Sequence, residues 1–262
     1  MGFRLVTLNL NGIRSAADKG FVAWAEQAQI DCMGVQEIKA QADVITGRFD
    51  KVAGLHGFFH CAQKKGYSGV GLYTRQSPSQ VITGFGDEEF DAEGRYVEAR
   101  FDTAQRKFSV ISCYFPSGSS GEDRQAAKFR FLARIHPHLM RLKADRDFVL
   151  MGDINIAHKN IDLKNWRSNQ KNSGFLPEER AWLDQLFGGG GLVDVFRTLN
   201  DQPEQYTWWS NRGQAWAKNV GWRLDYQLAT PGISALARRE NIYLTQRFSD
   251  HAPLTIDYDL KL

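Results

Sequence analysis

The residues of this chain that could do chemistry recur in one kind of place, at the ends of short apolar runs. Phe148, Val149, Leu150 and Met151 lead through Gly152 to Asp153, and Asn155 follows shortly after. Asn9 and Asn11 come after the run at 3–8, Glu37 after the run at 32–35, and Tyr114 closes the run ahead of Pro116. Asp225 lies in the stretch WRLDY, and Asp250 and His251 lie in SDHAP just before the last apolar run. Side chains alternate along an extended strand, so Asp153 and Asn155 can face the same point where their strand ends. A charge beside a buried strand end is costly unless something there needs it. Each residue also has an ordinary alternative. Asp153 reads equally well as a helix cap and Asn155 as a turn residue; a lone Glu37 reads as solvated, and a lone His251 as a satisfied core or surface histidine. Taken together they supply carboxylates and amides suited to a hard cation, plus one imidazole. Oxygen donors without thiolates point to magnesium, with manganese as the alternative, rather than zinc.

These groups have to be carried by strands, and the pattern supplies them. Runs at 3–8, 32–35, 57–61, 69–74, 96–101, 108–114, 148–151, 223–229, 241–244 and 252–260 read as strands, several in antiparallel-looking pairs. Helices are expected at 15–29, where Phe21, Trp24, Ala25 and Ala28 share a face, and after Gly121, where Phe131, Ile135, Leu139 and Leu142 do. Another begins at Pro177, a residue well suited to a first helical turn, and ends at the glycines 188–191. A polar loop spans 159–174. The glycine run is most simply a flexible turn, because the lysine pattern of a phosphate loop is missing.

With 262 residues, 42% of them hydrophobic, the chain can bury a substantial core in one large domain or two small ones. No linker composition or repeat divides it, so a single domain, 1–262, is expected, with two sheets packed together and covered by helices. A net charge of +3 permits an anionic partner without demanding one. Three cysteines, Cys32, Cys61 and Cys113, sit in apolar contexts with no zinc spacing, as expected of reduced thiols in a cytoplasmic protein. No signal peptide or membrane-spanning run is evident.

The segments LNLNGIR, VQEIK, GYSGVGLY, YFPSGSS, GDINIAH, NSGFLPEER, NVGWRLDY and SDHAP, in that order, resemble the exonuclease III family of abasic-site DNA endonucleases. The likeness runs over nearly the whole chain. It implies an α/β four-layer sandwich of two mixed or antiparallel sheets flanked by helices, with the site at one rim. It also implies roles. Glu37 matches the principal metal ligand, with Asn9 and Asp250 beside it. Asp153 matches the carboxylate that orients or deprotonates the attacking water, and Asn155 the amide that holds it. His251, oriented by Asp225, matches the imidazole on the scissile phosphate, and Tyr114 the phenol near the phosphate or leaving oxygen. The implied reaction is metal-dependent hydrolysis of the phosphodiester 5′ to an abasic site, leaving a 3′-hydroxyl, with 3′→5′ exonuclease and 3′-phosphatase activities beside it. Such chemistry needs these residue types, because a phosphodiester repels hydroxide until its charge is offset.

The same likeness implies a substrate surface. Trp208, Trp222 and Leu224 match an apolar pocket for a flipped-out deoxyribose that lacks its base. Read from composition alone, tryptophans like these and Trp209 are more often core. Arg14, Lys19, Lys39, Gly66, Tyr67, Asn165, Asn169, Lys171, Asn172, Arg212 and Lys218 fall at or beside positions resembling DNA-backbone contacts. The implied partner is duplex DNA carrying abasic sites or blocked 3′ ends, bound by a monomer. Departures are Asn11, where some relatives carry Asp, and Ser117, where many carry Asn. Arg212 matches a position that inserts near the lesion and varies among relatives, and Ser168 lies in a loop beside the DNA, where a larger side chain could shift preference from internal lesions toward strand ends. The rival readings are a phosphomonoesterase or phospholipase of the same superfamily, and a DNA-binding protein that has lost catalysis. The aromatic pocket and the asparagine loop argue against the first, and intact Glu37, Asp153 and His251 against the second.

Overall fold

The expected apolar runs form strands that stack as two sheets. In the computed structural model, which describes residues 2–262, seven strands make one sheet. Their order is Ala237–Ile242, Leu254–Tyr258, Phe3–Asn9, Cys32–Gln36, Val70–Thr74, Leu55–His60 and Lys51–Val52. The second sheet runs Val193–Asp194, Asp225–Ala229, Asp147–Asp153, Phe108–Tyr114, Tyr96–Arg100 and Gln80–Thr83. Each sheet has one parallel pair near its middle: Phe3–Asn9 with Cys32–Gln36, and Phe108–Tyr114 with Asp147–Asp153. The other pairs are antiparallel, so both sheets are mixed.

Strand parity decides which core each side chain enters. Phe148 and Leu150 face the helices Glu122–Asp145 and Pro177–Phe187 and meet Phe131, Ile135, Leu139 and Trp182. Their neighbours Val149 and Met151 face the other sheet and pack with Leu5, Leu72, Leu254 and Ile256. On the far side, Val6 and Leu8 meet Ile13, Phe21, Ala25 and Ile45. Three apolar interfaces therefore separate four layers, helix, sheet, sheet and helix, as the α/β four-layer expectation requires. Helices as short as Ile13–Asp18 and Phe21–Gln27 are marginal in isolation, below the roughly 12–15 residues an isolated helix needs, so this packing is what holds them.

Several local expectations are corrected. The helix expected at 15–29 is two helices broken at Gly20, whose φ of 96° is left-handed and suits glycine. The strand expected at 241–244 lies earlier, at Ala237–Ile242. The loop 159–174 carries a 3-10 turn at Asn160–Asp162 and a short helix at Trp166–Asn169. The edge strand Gln80–Thr83, the helix Val195–Leu199 and the small ribbon pairing Trp208–Trp209 with Gly221–Trp222 are too short to show a period. The three cysteines are free thiols. Among the described residues, no helix is long and apolar enough to cross a membrane.

Candidate active site

Strand register delivers the polar groups to one rim. Asp153 is paired across the second sheet with Tyr114 on one side and Asp225 on the other. In the facing sheet, Asn9 is paired with Gln36, so Glu37 leaves its strand beside it. The isolated bridge between Trp208 and His251 brings the segment before the last strand to the same edge. Gly152 makes this approach possible, since an added Cβ would lie 1.9 Å from the Cys113 carbonyl oxygen. Glu37 and Asn155 then turn with φ of 47° and 56°. A left-handed conformation at a non-glycine residue costs on the order of 1–3 kcal/mol and recurs at functional sites.

A continuous hydrogen-bond network joins these side chains. The Asn9 amide donates to Glu37 Oε1 at 2.8 Å and to Asp153 Oδ2 at 2.9 Å, linking two carboxylates from different sheets. Its own carbonyl oxygen accepts the Asn11 N–H. The Asn155 main chain donates to Asp153 Oδ1 at 2.9 Å, and its side-chain amide to Asp153 Oδ2 at 3.1 Å and to the Phe115 carbonyl. His251 Nδ1 sits 2.8 Å from Asp225 Oδ2, and its Nε2 lies 3.7 Å from Asp153 Oδ2. Asp250 accepts from the Trp208 indole and from Asn11. Lys39 spans Glu37 Oε2 and Asn11 Oδ1.

Charge is unevenly balanced here. Burial pushes the Asp153 carboxyl up to about 7; His251 pulls the other way, while Asp225 and Glu37 add to the rise. Burial works against a charged His251, but Asp225 and Asp153 outweigh it and raise the imidazole to about 10, leaving an imidazolium at neutral pH. Burial likewise pushes Glu37 upward, yet Lys39 and the Asn9 hydrogen bond hold it below its usual range. Burial, then the charges of Glu37 and Asp153, keeps the Tyr114 phenol protonated, well above its ordinary range. Asp225 Oδ1 is buried with no hydrogen-bond partner among the described residues. Asp153, Asp225 and His251 offer ligand atoms within 4.8 Å of one another. With His251 protonated, the donors left for a cation are the carboxylate oxygens of Glu37, Asp250 and Asp153 around the same cavity, a hard oxygen set that fits a divalent ion.

Glu37, Tyr114, Asp153, Asn155, Asp250 and His251 line one cavity of about 270 Å³, whose apolar wall is Trp208, Trp222 and Leu224. Trp208 and Trp222 meet edge to face, their centroids 6.4 Å apart. Asn172 also lines this cavity, whereas Asn165, Asn169 and Arg212 line a second one behind the same two tryptophans. Tyr67 joins the site through Arg95, which donates to its hydroxyl and to the Tyr114 carbonyl. Gly66 turns beside Tyr67 with φ of 69°. Arg14, Lys19, Lys171 and Lys218 are exposed and line neither cavity. Trp209 is core, packed on Trp216.

Some contributors carry no role in the family resemblance, although Ser119, Ser173 and Gly174 lie within its segments YFPSGSS and NSGFLPEER. Ser119, Ser173 and Gly174 line the cavity, and the Thr207 hydroxyl accepts the N–H groups of both Leu224 and Asp225. Lys128 is fully buried beneath Asn155. Its signal was present in the sequence, because residue 128 is in helical phase with Phe131 and Ile135 on the buried face.

Comparison with known proteins places this arrangement. A family model described as the Endonuclease/Exonuclease/phosphatase family matches residues 6–251. An exodeoxyribonuclease of Bacillus subtilis is 32% identical over 97% of this chain and 98% of its own length. The DNA repair nuclease APEX1 of Danio rerio is 34% identical over 97% of this chain and 81% of its own length. Among solved structures, an AP endonuclease from Leishmania major superposes with a TM-score of 0.88 at 25% identity, covering 99% of this chain and 88% of that one. The chain therefore belongs to the endonuclease/exonuclease/phosphatase family and is a nuclease of its exodeoxyribonuclease III and AP-endonuclease type.

Proposed function

We propose that this protein, acting as a single-domain monomer in the cytoplasm, uses magnesium to cut duplex DNA on the 5′ side of an abasic site, leaving a 3′-hydroxyl. Removal of 3′ phosphates and of 3′-terminal nucleotides uses the same groups. The observation that carries this reading is the shared cavity, lined both by Asp153, His251 and Glu37 and by Trp208, Trp222 and Leu224. A deoxyribose without its base enters between the apolar side chains, where an attached base would collide, and the missing base also lowers the cost of leaving the stack.

The chain's own groups divide the work. Asp153, with a carboxyl that titrates near neutrality, accepts a proton from the attacking water, which Asn155 holds beside it. His251 stays cationic and offsets the phosphate charge, kept in orientation by Asp225. Tyr114, held protonated, can donate to a phosphate or leaving oxygen. Glu37, with Asp250 and Asn9 around it, would hold the magnesium, which would supply further positive charge to offset that of the phosphodiester. Asn165, Asn169, Asn172, Lys171, Arg212, Lys218, Arg14, Lys19, Lys39, Gly66 and Tyr67 contact the DNA backbone, giving salt-sensitive binding without sequence preference.

The test is a time course on a duplex with one internal abasic site. With magnesium, a single nick with a 3′-hydroxyl is expected, abolished by EDTA and restored by added metal. An uncut abasic duplex at every magnesium concentration contradicts the proposal.

A further inference from the structure

Beneath the cavity lies a salt bridge to which neither the family resemblance nor the chemistry above gives a role, although Glu179 falls within the segment NSGFLPEER. Lys128, from the helix Glu122–Asp145, and Glu179, from the first turn of the helix Pro177–Phe187, are both 0% exposed and meet at 2.6 Å. Burying a charge pair costs several kcal/mol per ion, and replacing it with apolar residues is often neutral or better. Stability alone is a weak reason for it to be here.

Its remaining bonds lead to the site. Lys128 Nζ donates to the Asn155 main-chain oxygen at 2.7 Å. Glu179 Oε2 accepts the Gly174 N–H at 2.7 Å and the Leu176 N–H at 3.0 Å, and Oε1 also accepts from Gln125. Asn155 and Gly174 are themselves neighbours: a Cβ on Gly174 would lie 3.1 Å from the Asn155 oxygen and 3.3 Å from the Trp222 ring. The Gly174 carbonyl also accepts the Ala157 N–H. One ion pair thus holds the left-handed residue whose amide grips Asp153, and with it the backbone against which Trp222 rests.

We propose that Lys128 and Glu179 are positioning residues, a paired strut that sets the distance between the Asn155–Asp153 end of the cavity and its Gly174–Trp222 wall. The strut touches neither water nor substrate. It acts by fixing the Asn155 main-chain oxygen through Lys128 and the Gly174 N–H through Glu179, so that these two backbone segments keep their spacing. Because the groups it holds are proposed to act in the chemical step, its loss lowers kcat more than it weakens substrate binding.

The inference rests on the nuclease reading above, and the experiment separates the two. Removing one partner alone strands a buried charge, so the informative variant neutralises both, Lys128→Met with Glu179→Gln, keeping volume and the acceptor for Gly174. In magnesium with the abasic duplex, kcat is expected to fall about 10–100-fold with KM within about 3-fold of the parent, the range seen when supporting hydrogen bonds are removed. The amide resonances of Gly174 and the Asn155 side chain should shift in the substrate-free protein, while those of the distant edge strand Gln80–Thr83 stay put. A folded double variant with parental kcat overturns the proposal, as do unmoved resonances at Asn155 and Gly174. Parental protein that leaves the duplex uncut refutes the nuclease reading, while the resonances still decide the strut. Should the double variant fail to fold, Glu179→Asp, which keeps both charges and shortens the strut by one methylene, is read in the same way, with a smaller loss in the same direction expected and parental kcat overturning the proposal.

Discussion

Two buried carboxylates, Asp153 and Asp162, pose the same electrostatic problem and reach opposite answers. Both are 1% exposed, and burial is the largest influence on each, pushing upward. At Asp162 it is outweighed. Arg223 Nε and Arg197 Nη2 both donate to its Oδ1, at 2.8 and 2.7 Å, and the remaining Arg223 donors engage Asp194. The carboxyl is held far below its ordinary value. At Asp153 the nearest cation is a single imidazolium shared with Asp225, and amide donors make up the rest, so the carboxyl rises to about 7. The two environments almost touch in sequence, since Arg223 stands between Trp222 and Leu224, which line the cavity. The scaffold balances its charges, and the site leaves an excess of negative charge suited to a divalent cation.

Breaking the balanced cluster should have the largest effect on stability. Asp162→Asn leaves Arg223 buried with one carboxylate fewer, and a loss of about 3–5 kcal/mol is expected in urea titrations, with near-parental kcat in the fraction that stays folded. Asp153→Asn should do the reverse in metal-free buffer, with stability equal to or above the parent's. An outcome in which Asp153→Asn is the more destabilising would erase the distinction.

The pH dependence sharpens the same contrast. Asp162 has a folded value depressed below its ordinary 3.8. Its contribution is fully present above that ordinary value and is lost as pH falls through the folded one. Asp153 has a folded value raised from 3.8 to about 7. Its favourable linkage is present below 3.8 and lost as pH rises through 7, so the stability gained in Asp153→Asn should grow from pH 4 to 7 and then level off. Paired thermal melts in EDTA check both directions. The smallest effect concerns preference: Ser168 is exposed on the helix Trp166–Asn169. Ser168→His should shift the ratio of internal abasic incision to 3′-phosphate removal toward strand ends, by about 3-fold or more, about 0.7 kcal/mol in transition-state discrimination. An unchanged ratio removes Ser168 from the account.

The unequal treatment of charge also marks what could be read from the sequence. Asn9, Glu37, Tyr114 and Asp153 were legible because each follows an apolar run, and period-two alternation fixes where a strand-end side chain points. Their meeting was not legible from pattern, since the Asn9–Asp153 bond joins residues 144 apart on different sheets; only the family resemblance placed them together. Lys128 and Glu179 carry charges that composition alone places at the surface; their burial shows only in helical phase with apolar neighbours and, for Glu179, in its place within the segment NSGFLPEER. The Asp162 cluster stayed hidden because loop 159–174 has no periodicity; its order comes from Arg223, far along the chain. Gly20 broke a helix for a reason visible in the sequence, a glycine within an otherwise periodic run.

The most direct test of the central claim is to measure Asp153→Asn for both DNA binding and single-turnover cleavage of the abasic duplex in magnesium. The account predicts a parental dissociation constant within a few-fold and a cleavage rate reduced by about 100- to 10,000-fold, the scale of a lost general base. Near-parental cleavage by the variant would contradict it, as would a loss of binding that matches the loss of rate.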